Sequence, residues 1–303
     1  MSRYHRPLVL ALASLVLSGS AEAQNGKPAV PLVVTSEWLA RQLGADDLVL
    51  LHVGEPAAFQ TEHLPGARLI TFDALAAKET DDGLALELPA PDDLRVRLES
   101  LGISDDSRVV VYFAGNWATP ATRVLFTLDY AGLGDRAGFL DGGLPQWKRE
   151  GRPVSAKVTP VARGRLTTRA AKPIVADAEY VRAHLRTRGT TIVDARAPVF
   201  YSGPAHGNQR AGHVAGAVSI PFTSVFDDSL RVRDRASLER LFADAGVQPS
   251  DSIVAYCHIG QQATAVVLAA RLLGRPVRLY DGSFQDWSRR TELPVENTTG
   301  ASR

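Results

Sequence analysis

Ser252-Ile253-Val254-Ala255-Tyr256-Cys257-His258-Ile259-Gly260-Gln261-Gln262 runs directly into Ala263-Thr264-Ala265-Val266-Val267-Leu268-Ala269-Ala270-Arg271-Leu272-Leu273-Gly274. The first part is a short, continuous apolar run, as a parallel strand buried on both faces requires. The last part is rich in helix formers and closes on Gly274, a residue suited to a left-handed helix cap. Between them lies a tight loop that opens with a cysteine. In open α/β sheets, ligands gather beyond the carboxyl ends of the strands. There, loop N–H groups and the following helix N-terminus favour S⁻ over SH. Gly260 suits the loop because it permits dihedral angles that side-chained residues resist.

The same order of segments occurs twice. Leu48-Val49-Leu50-Leu51 with His52-Val53-Gly54-Glu55-Pro56 matches Thr191-Ile192-Val193 with Asp194-Ala195-Arg196-Ala197-Pro198. His63-Leu64-Pro65-Gly66-Ala67 matches His213-Val214-Ala215-Gly216-Ala217. Gly102 to Tyr112 matches Gly246 to Tyr256, and Leu140-Asp141-Gly142-Gly143 with Trp147 matches Tyr280-Asp281-Gly282-Ser283 with Trp287. The chain is therefore a duplication. Each copy reads as α/β, with short buried strands alternating with helical stretches such as Ser36–Leu43, Asp177–Leu185 and Ala236–Ala245. Thr35 and Ser36 can cap the first of these helices and Gly44 can end it. The stretch from Gly151 to Pro173 lacks strong periodicity, contains Pro153, Pro160, Gly164 and Pro173, and reads as a linker over the surface between the copies.

The beginning of the chain has another character. Arg3, His5 and Arg6 precede an apolar run from Leu8 to Leu17, interrupted only by Ser14, and Ala21-Glu22-Ala23 forms an A-x-A pattern. This is the pattern of a secretory signal peptide cleaved after Ala23. A run of roughly ten apolar residues is too short to cross a bilayer, which needs about 20. Export is expected, most naturally to a bacterial periplasm. Of 34 basic and 33 acidic residues, removing Arg3, Arg6 and Glu22 leaves 32 of each. No broad basic field exists to attract nucleic acid or anionic lipid. The single cysteine excludes an internal disulfide. In an oxidising compartment, a lone thiol is either deeply buried or kept for its chemistry.

Loop content separates the chemistries that use a strand–Cys–loop–helix element. Phosphate-handling loops, as in protein phosphatases and arsenate reductases, place an arginine six positions after the cysteine to clamp the oxyanion. Here that position is Ala263, and no arginine occurs between Cys257 and Arg271. Taken together, Asp194-Ala195-Arg196, His213-Val214-Ala215-Gly216-Ala217, the Cys257 loop and Asp281-Gly282 with Trp287 resemble the rhodanese family. The match is specifically to its two-domain thiosulfate and 3-mercaptopyruvate sulfurtransferases, over nearly all of the chain beyond Ala23. The resemblance implies a rhodanese-like parallel sheet flanked by helices in each half. It also implies a catalytic second domain and a persulfide carried on Cys257, with neither metal nor organic cofactor. The expected organisation is a signal peptide over 1–23, a non-catalytic domain over 24–155, a linker over 156–172 and a catalytic domain over 173–303.

In the first copy, Phe113 stands where Cys257 stands, Gly54 where Arg196 stands and His52 where Asp194 stands. That half cannot hold a persulfide, and it is expected to support the fold and wall the cleft. Cys257 is the expected nucleophile. Arg196 either binds the anionic end of a sulfur donor or pairs with Asp194. His213 reads as a structural hydrogen-bonding residue, because its counterpart His63 lies in the copy without a nucleophile. His258, with Ala114 as counterpart, either stabilises the thiolate or faces solvent. Ile259, Gly260, Gln261 and Gln262 complete the expected donor-binding loop, the two glutamines supplying neutral donors. Thiosulfate-type loops carry basic residues here and mercaptopyruvate-type loops are small and neutral; this loop matches neither. Trp147 and Trp287 read as core or domain-contact aromatics, and Ser202–Gln209, longer than in the first copy, as part of the substrate entrance or as plain surface variation. The expected reaction takes sulfane sulfur from a small donor to cyanide or to a thiol, including a protein thiol. The alternatives are a persulfide carrier or sensing module without fast turnover, and a scaffold with a decayed second site.

Overall fold

The computed structural model describes Met1 and residues 29–78, 83–167, 169–203 and 210–297. The expected cleavage site after Ala23, and most of the Ser202–Gln209 loop, lie outside the described residues. No helix among those described is long and apolar enough to cross a membrane.

In the first half, strands β1 (Val33–Val34), β2 (Leu48–Val53), β3 (Arg68–Ile70), β4 (Arg108–Phe113) and β5 (Ala137–Leu140) alternate with helices α1 (Ser36–Gln42), α2 (Pro56–Thr61), α3 (Pro91–Ser100), α4 (Thr119–Tyr130) and α5 (Gly143–Arg149). The second half has β6 (Val175–Ala176), α6 (Ala178–Ala183), β7 (Thr190–Asp194), α7 (Pro198–Ser202), β8 (His213–Val214), β9 (Val218–Ser219), α8 (Arg235–Asp244), β10 (Ser252–Tyr256), α9 (Ala263–Leu272), β11 (Val277–Tyr280), α10 (Ser283–Arg289) and β12 (Val295–Glu296). Each half forms a parallel five-stranded sheet, ordered β1-β5-β4-β2-β3 and β6-β11-β10-β7-β9. The halves thus repeat one topology with β4 and β10 in the middle, which is why both read as unbroken apolar runs. Thr35 caps α1 by accepting the Trp38 amide at 3.1 Å, and Gly44 follows the helix with φ +86°.

Helices α4 and α9 are buried on nearly every side, consistent with apolar residues all round. They pack together between the sheets, so one continuous core joins both halves, with a smaller core outside each sheet. Polar contacts across this junction follow a pseudo-twofold pattern. The Asp141 carboxylate accepts from the Val232 amide at 2.8 Å and Arg231 Nε at 3.1 Å. Its counterpart Asp281 accepts from the Leu88 amide at 2.8 Å and Arg123 Nη1 at 2.6 Å. Thr122 on α4 and Thr264 on α9 share a buried hydroxyl–hydroxyl bond of 2.7 Å. The connecting segment docks on the first half: Ser155 bridges His63, the Gly164 amide donates to Glu99 O at 2.8 Å, and a Cβ at Gly164 would lie 2.0 Å from Ile103 O.

Candidate active site

Cys257 directly follows β10 and is fully buried. Its amide donates to Ser283 Oγ at 3.1 Å, and Ser283 donates in turn to Tyr280 O at 2.8 Å. Its carbonyl accepts from the Phe284 amide at 3.0 Å, and the His258 carbonyl from Gln285 at 2.9 Å. The start of α10 thereby grips the outside of the loop. At the far end, Thr264 Oγ1 donates to Gln261 O at 2.6 Å. Among the described residues, the amides of Ile259, Gly260, Gln261 and Gln262 donate to no protein acceptor. Four successive uncommitted N–H groups between a thiol and a helix N-terminus are the ingredients of an anion-binding nest. Gly260 makes the turn with φ +79°, where a Cβ would meet Asp281 O at 2.6 Å. Gln261 is buried with its side-chain Nε2 unpartnered, while His258, Ile259 and Gln262 are half-buried. His258 stands edge-on to Phe200, with ring centroids 4.6 Å apart.

Arg196 lies deeper. It is 2% exposed, with Nη2 2.5 Å from Asp194 Oδ2 and 2.7 Å from Gly212 O, and Nε 3.0 Å from each Asp194 oxygen. Phe284 roofs the guanidinium at 4.0 Å. Burial works against its charge, but hydrogen bonds and attraction from Asp194 outweigh burial and raise its pKa. Of the two roles open from sequence, this geometry is that of the ion pair fixing the turn after β7. Tyr256 completes the unit, donating to Asp194 Oδ2 at 2.7 Å and accepting from the Val214 amide at 3.0 Å. Burial, then Asp194, pushes the tyrosine pKa far up, so the phenol stays a donor.

The first half keeps the scaffold of this unit. Tyr112 accepts from the Leu64 amide at 3.0 Å and lies 3.1 Å from His52 Nδ1. Burial first, then His63, lowers the His52 pKa to about 4, so the ring is neutral at pH 7. His63 and His213 play matching roles, each bonding a carbonyl (Phe59 O at 2.7 Å, Tyr201 O at 2.8 Å) and stacking on that residue's ring. His213 therefore holds a turn, as its repeated counterpart suggests. Trp147 and Trp287 are both core residues, donating to Pro153 O and Pro294 O.

Two residues at the site escaped the sequence reading. Ser283 adopts φ +53°, a region strained for a side-chained residue, at the place where Gly143 has φ +55° in the first half. A Cβ at Gly143 would strike Phe113 O at 2.6 Å and its ring at 2.9 Å. A signal was present in the duplication: glycine stands at this position in the half with Phe113, and serine in the half with Cys257. The other is Arg123, whose side chain reaches Gly260 O from α4 at 3.3 Å. No group of three or more metal-ligating side chains occurs among the described residues.

Residues 35–150 and 177–290 each match the rhodanese-like domain. The chain is 30% identical over 273 residues to a thiosulfate sulfurtransferase of Pseudomonas aeruginosa, covering 88% of this chain and 97% of that one. It is also 30% identical over 276 residues to a probable 3-mercaptopyruvate sulfurtransferase of the same organism, covering 87% and 97%. Among solved structures, an EanB variant in complex with ergothioneine superposes with a TM-score of 0.79 at 22% identity, covering 88% of this chain and 70% of that one; this likeness supports the fold. The chain belongs to the rhodanese family, as a two-domain sulfurtransferase.

Proposed function

We propose that the protein moves sulfane sulfur from thiosulfate, or from 3-mercaptopyruvate, to a thiophilic acceptor through a persulfide on Cys257. The observation that carries this reading is the lone thiol at the end of β10, followed before α9 by four loop amides without a protein acceptor among the described residues. The Cys257 thiolate attacks the outer sulfur of thiosulfate, the S–S bond breaks, and sulfite leaves with the bonding pair. The resulting Cys257–S–S⁻ keeps one negative charge for the loop N–H groups to stabilise. Cyanide, or a thiolate in place of cyanide, then attacks the outer sulfur and returns Cys257 as thiolate. Each step exchanges one soft anion for another, so fixed N–H dipoles supply the main stabilisation. His258, Ile259, Gly260, Gln261 and Gln262 form the donor-binding rim, with Gln261 Nε2 an uncommitted donor within it.

Export to a periplasm is part of this proposal. It rests on the basic start, the apolar run and Ala21-Glu22-Ala23, and N-terminal mass analysis of the protein from the cell envelope checks it. The enzymatic test is steady-state transfer to cyanide from thiosulfate and from 3-mercaptopyruvate. Turnover is expected to vanish in Cys257→Ser without loss of folding; a variant that still turned over would refute the mechanism. A Cys257 that accepts sulfur but does not turn over identifies a carrier instead, a reading to which the full burial of the thiol lends some weight.

A further inference from the structure

We infer that Arg123, a side chain of the first domain, is a positioning residue for the sulfur-carrying loop of the second. The inference rests on reading Cys257 as the sulfur carrier. Arg123 projects from α4 and is almost wholly buried. Its guanidinium joins three segments at once: Nη1 lies 2.6 Å from Asp281 Oδ1 and 3.3 Å from Gly260 O, and Nη2 bonds Leu86 O. A planar fork with several fixed donors suits such a three-way junction.

The contact with Gly260 O bears on the chemistry. Because the peptide is trans and planar, its C=O and the next N–H point in opposite directions. Holding the Gly260 carbonyl toward Arg123 therefore turns the Gln261 N–H away from the domain junction, back into the loop. That amide is one of the four with no protein acceptor. Gly260 itself is packed so closely here that its Cβ position lies 3.1 Å from Arg123 Nη1.

The contact is confined to the half that holds the nucleophile. The loops Phe113–Ala118 and Cys257–Gln262 are of equal length, so Val267 on α9 stands where Arg123 stands on α4. Both halves keep the aspartate that reaches the opposing domain, but Asp141 pairs with Arg231, which is half-exposed. Among the described residues, Arg231 makes no hydrogen bond to the Phe113 loop. A brace needed only for docking the domains would suit both sides of the pseudo-twofold equally. Among the described residues, the guanidinium that touches loop backbone occurs beside Cys257 and not beside Phe113.

The test uses the full chain, with thiosulfate as donor and cyanide as acceptor. Arg123→Lys keeps a charge beside Asp281 but replaces the two separated nitrogens of the planar fork with a single one. Arg123→Met combined with Asp281→Asn removes both charges and leaves neither buried alone. In folded variants, persulfide formation on Cys257 at saturating thiosulfate should slow roughly tenfold or more, the scale of a misplaced charge-stabilising donor. The half-saturating thiosulfate concentration should stay within about twofold, since the loop's charge stabilisation acts on the reacting sulfur. A folded variant that loads at the unsubstituted rate, or loss of folding in both variants, overturns the inference in favour of a purely structural brace. Failure of the unsubstituted chain to load sulfur would instead refute the proposed function, so the two failures are distinct.

Discussion

Asp194→Asn preserves the shape of the buried carboxylate but removes its charge. In the structure, that carboxylate takes two bonds from Arg196 Nε, one from Arg196 Nη2, one from the Arg196 amide and one from Tyr256. An asparagine still accepts the Tyr256 hydroxyl, so the tyrosine contributes little to the loss. The cost comes from Arg196, left charged beneath Phe284 with Gly212 O as its other hydrogen-bond partner. Breaking a buried pair by removing one partner costs about 3–5 kcal/mol, whereas removing both charges together is often close to neutral. Asp194→Asn should therefore lose about 3–5 kcal/mol, and Arg196→Met added to it should restore most of that. Urea unfolding of the two single variants and the double variant measures the coupling directly. The opposite pattern defines refutation: Asp194→Asn losing less than about 1 kcal/mol, while Arg196→Met stays as stable as the parent but raises KM for thiosulfate. That outcome would mean that Arg196 meets the donor after all.

Two further outcomes follow from local geometry. Ordinary histidine titrates near pH 6.5 and folded His52 near 4, so the unfolded chain binds the extra proton between these values. Stability present above pH 6.5 is thus lost as pH falls toward 4, by up to about 3 kcal/mol from this one group. His52→Asn should flatten that part of the curve in unfolding measurements at pH 7, 5.5 and 4.5, and an unchanged curve would contradict the assignment. Gly260→Ala places a methyl 2.6 Å from Asp281 O at φ +79°, so it should cost at least about 1–2 kcal/mol from the backbone conformation alone and depress sulfur transfer. Wild-type turnover in that variant would show that the loop tolerates reshaping.

Much of the fold was legible because parallel strands buried on both faces leave an unmistakable trace, as Val109-Val110-Val111 and Ile253-Val254-Ala255 do. The duplication reinforced each copy with the other, and it separated His213, which has a partner in the inert copy, from Cys257, which has none. The position of the thiol was equally plain, since strand, loop and helix adjoin in sequence. What escaped notice depends on segments far apart in the chain. Arg123 reaches Gly260 only once α4 and α9 are packed together, and nothing in its local sequence marks that destination. For Arg196 the residues posed the alternatives, but choosing between them needed Tyr256, Gly212 and Phe284 around the guanidinium. The linker's proline and glycine content suggested a crossing over the surface; that Gly164 docks on the first domain, its amide bonded to Glu99 O and no room left for a Cβ beside Ile103 O, was not visible in it.

The two halves share a scaffold and part company at the end of the central strand. Tyr112 and Tyr256 each tie the central strand to the turn that begins at His63 or His213, so the framework is the same. The difference lies one residue further on. Phe113 fills the end of the strand with an aromatic ring, and its close approach leaves room only for Gly143 opposite. Cys257 is smaller, and the space it leaves takes the Ser283 hydroxyl, which accepts the Cys257 amide at 3.1 Å. That amide is thereby turned to Ser283, while the amides of Ile259 to Gln262 have no protein acceptor among the described residues. Phenylalanine with glycine is a packing solution, while cysteine with serine at φ +53° is a hydrogen-bonded one held at a strained backbone angle. Converting the first into the second would need both exchanges at once, because a Cβ at Gly143 meets the Phe113 carbonyl at 2.6 Å and its ring at 2.9 Å.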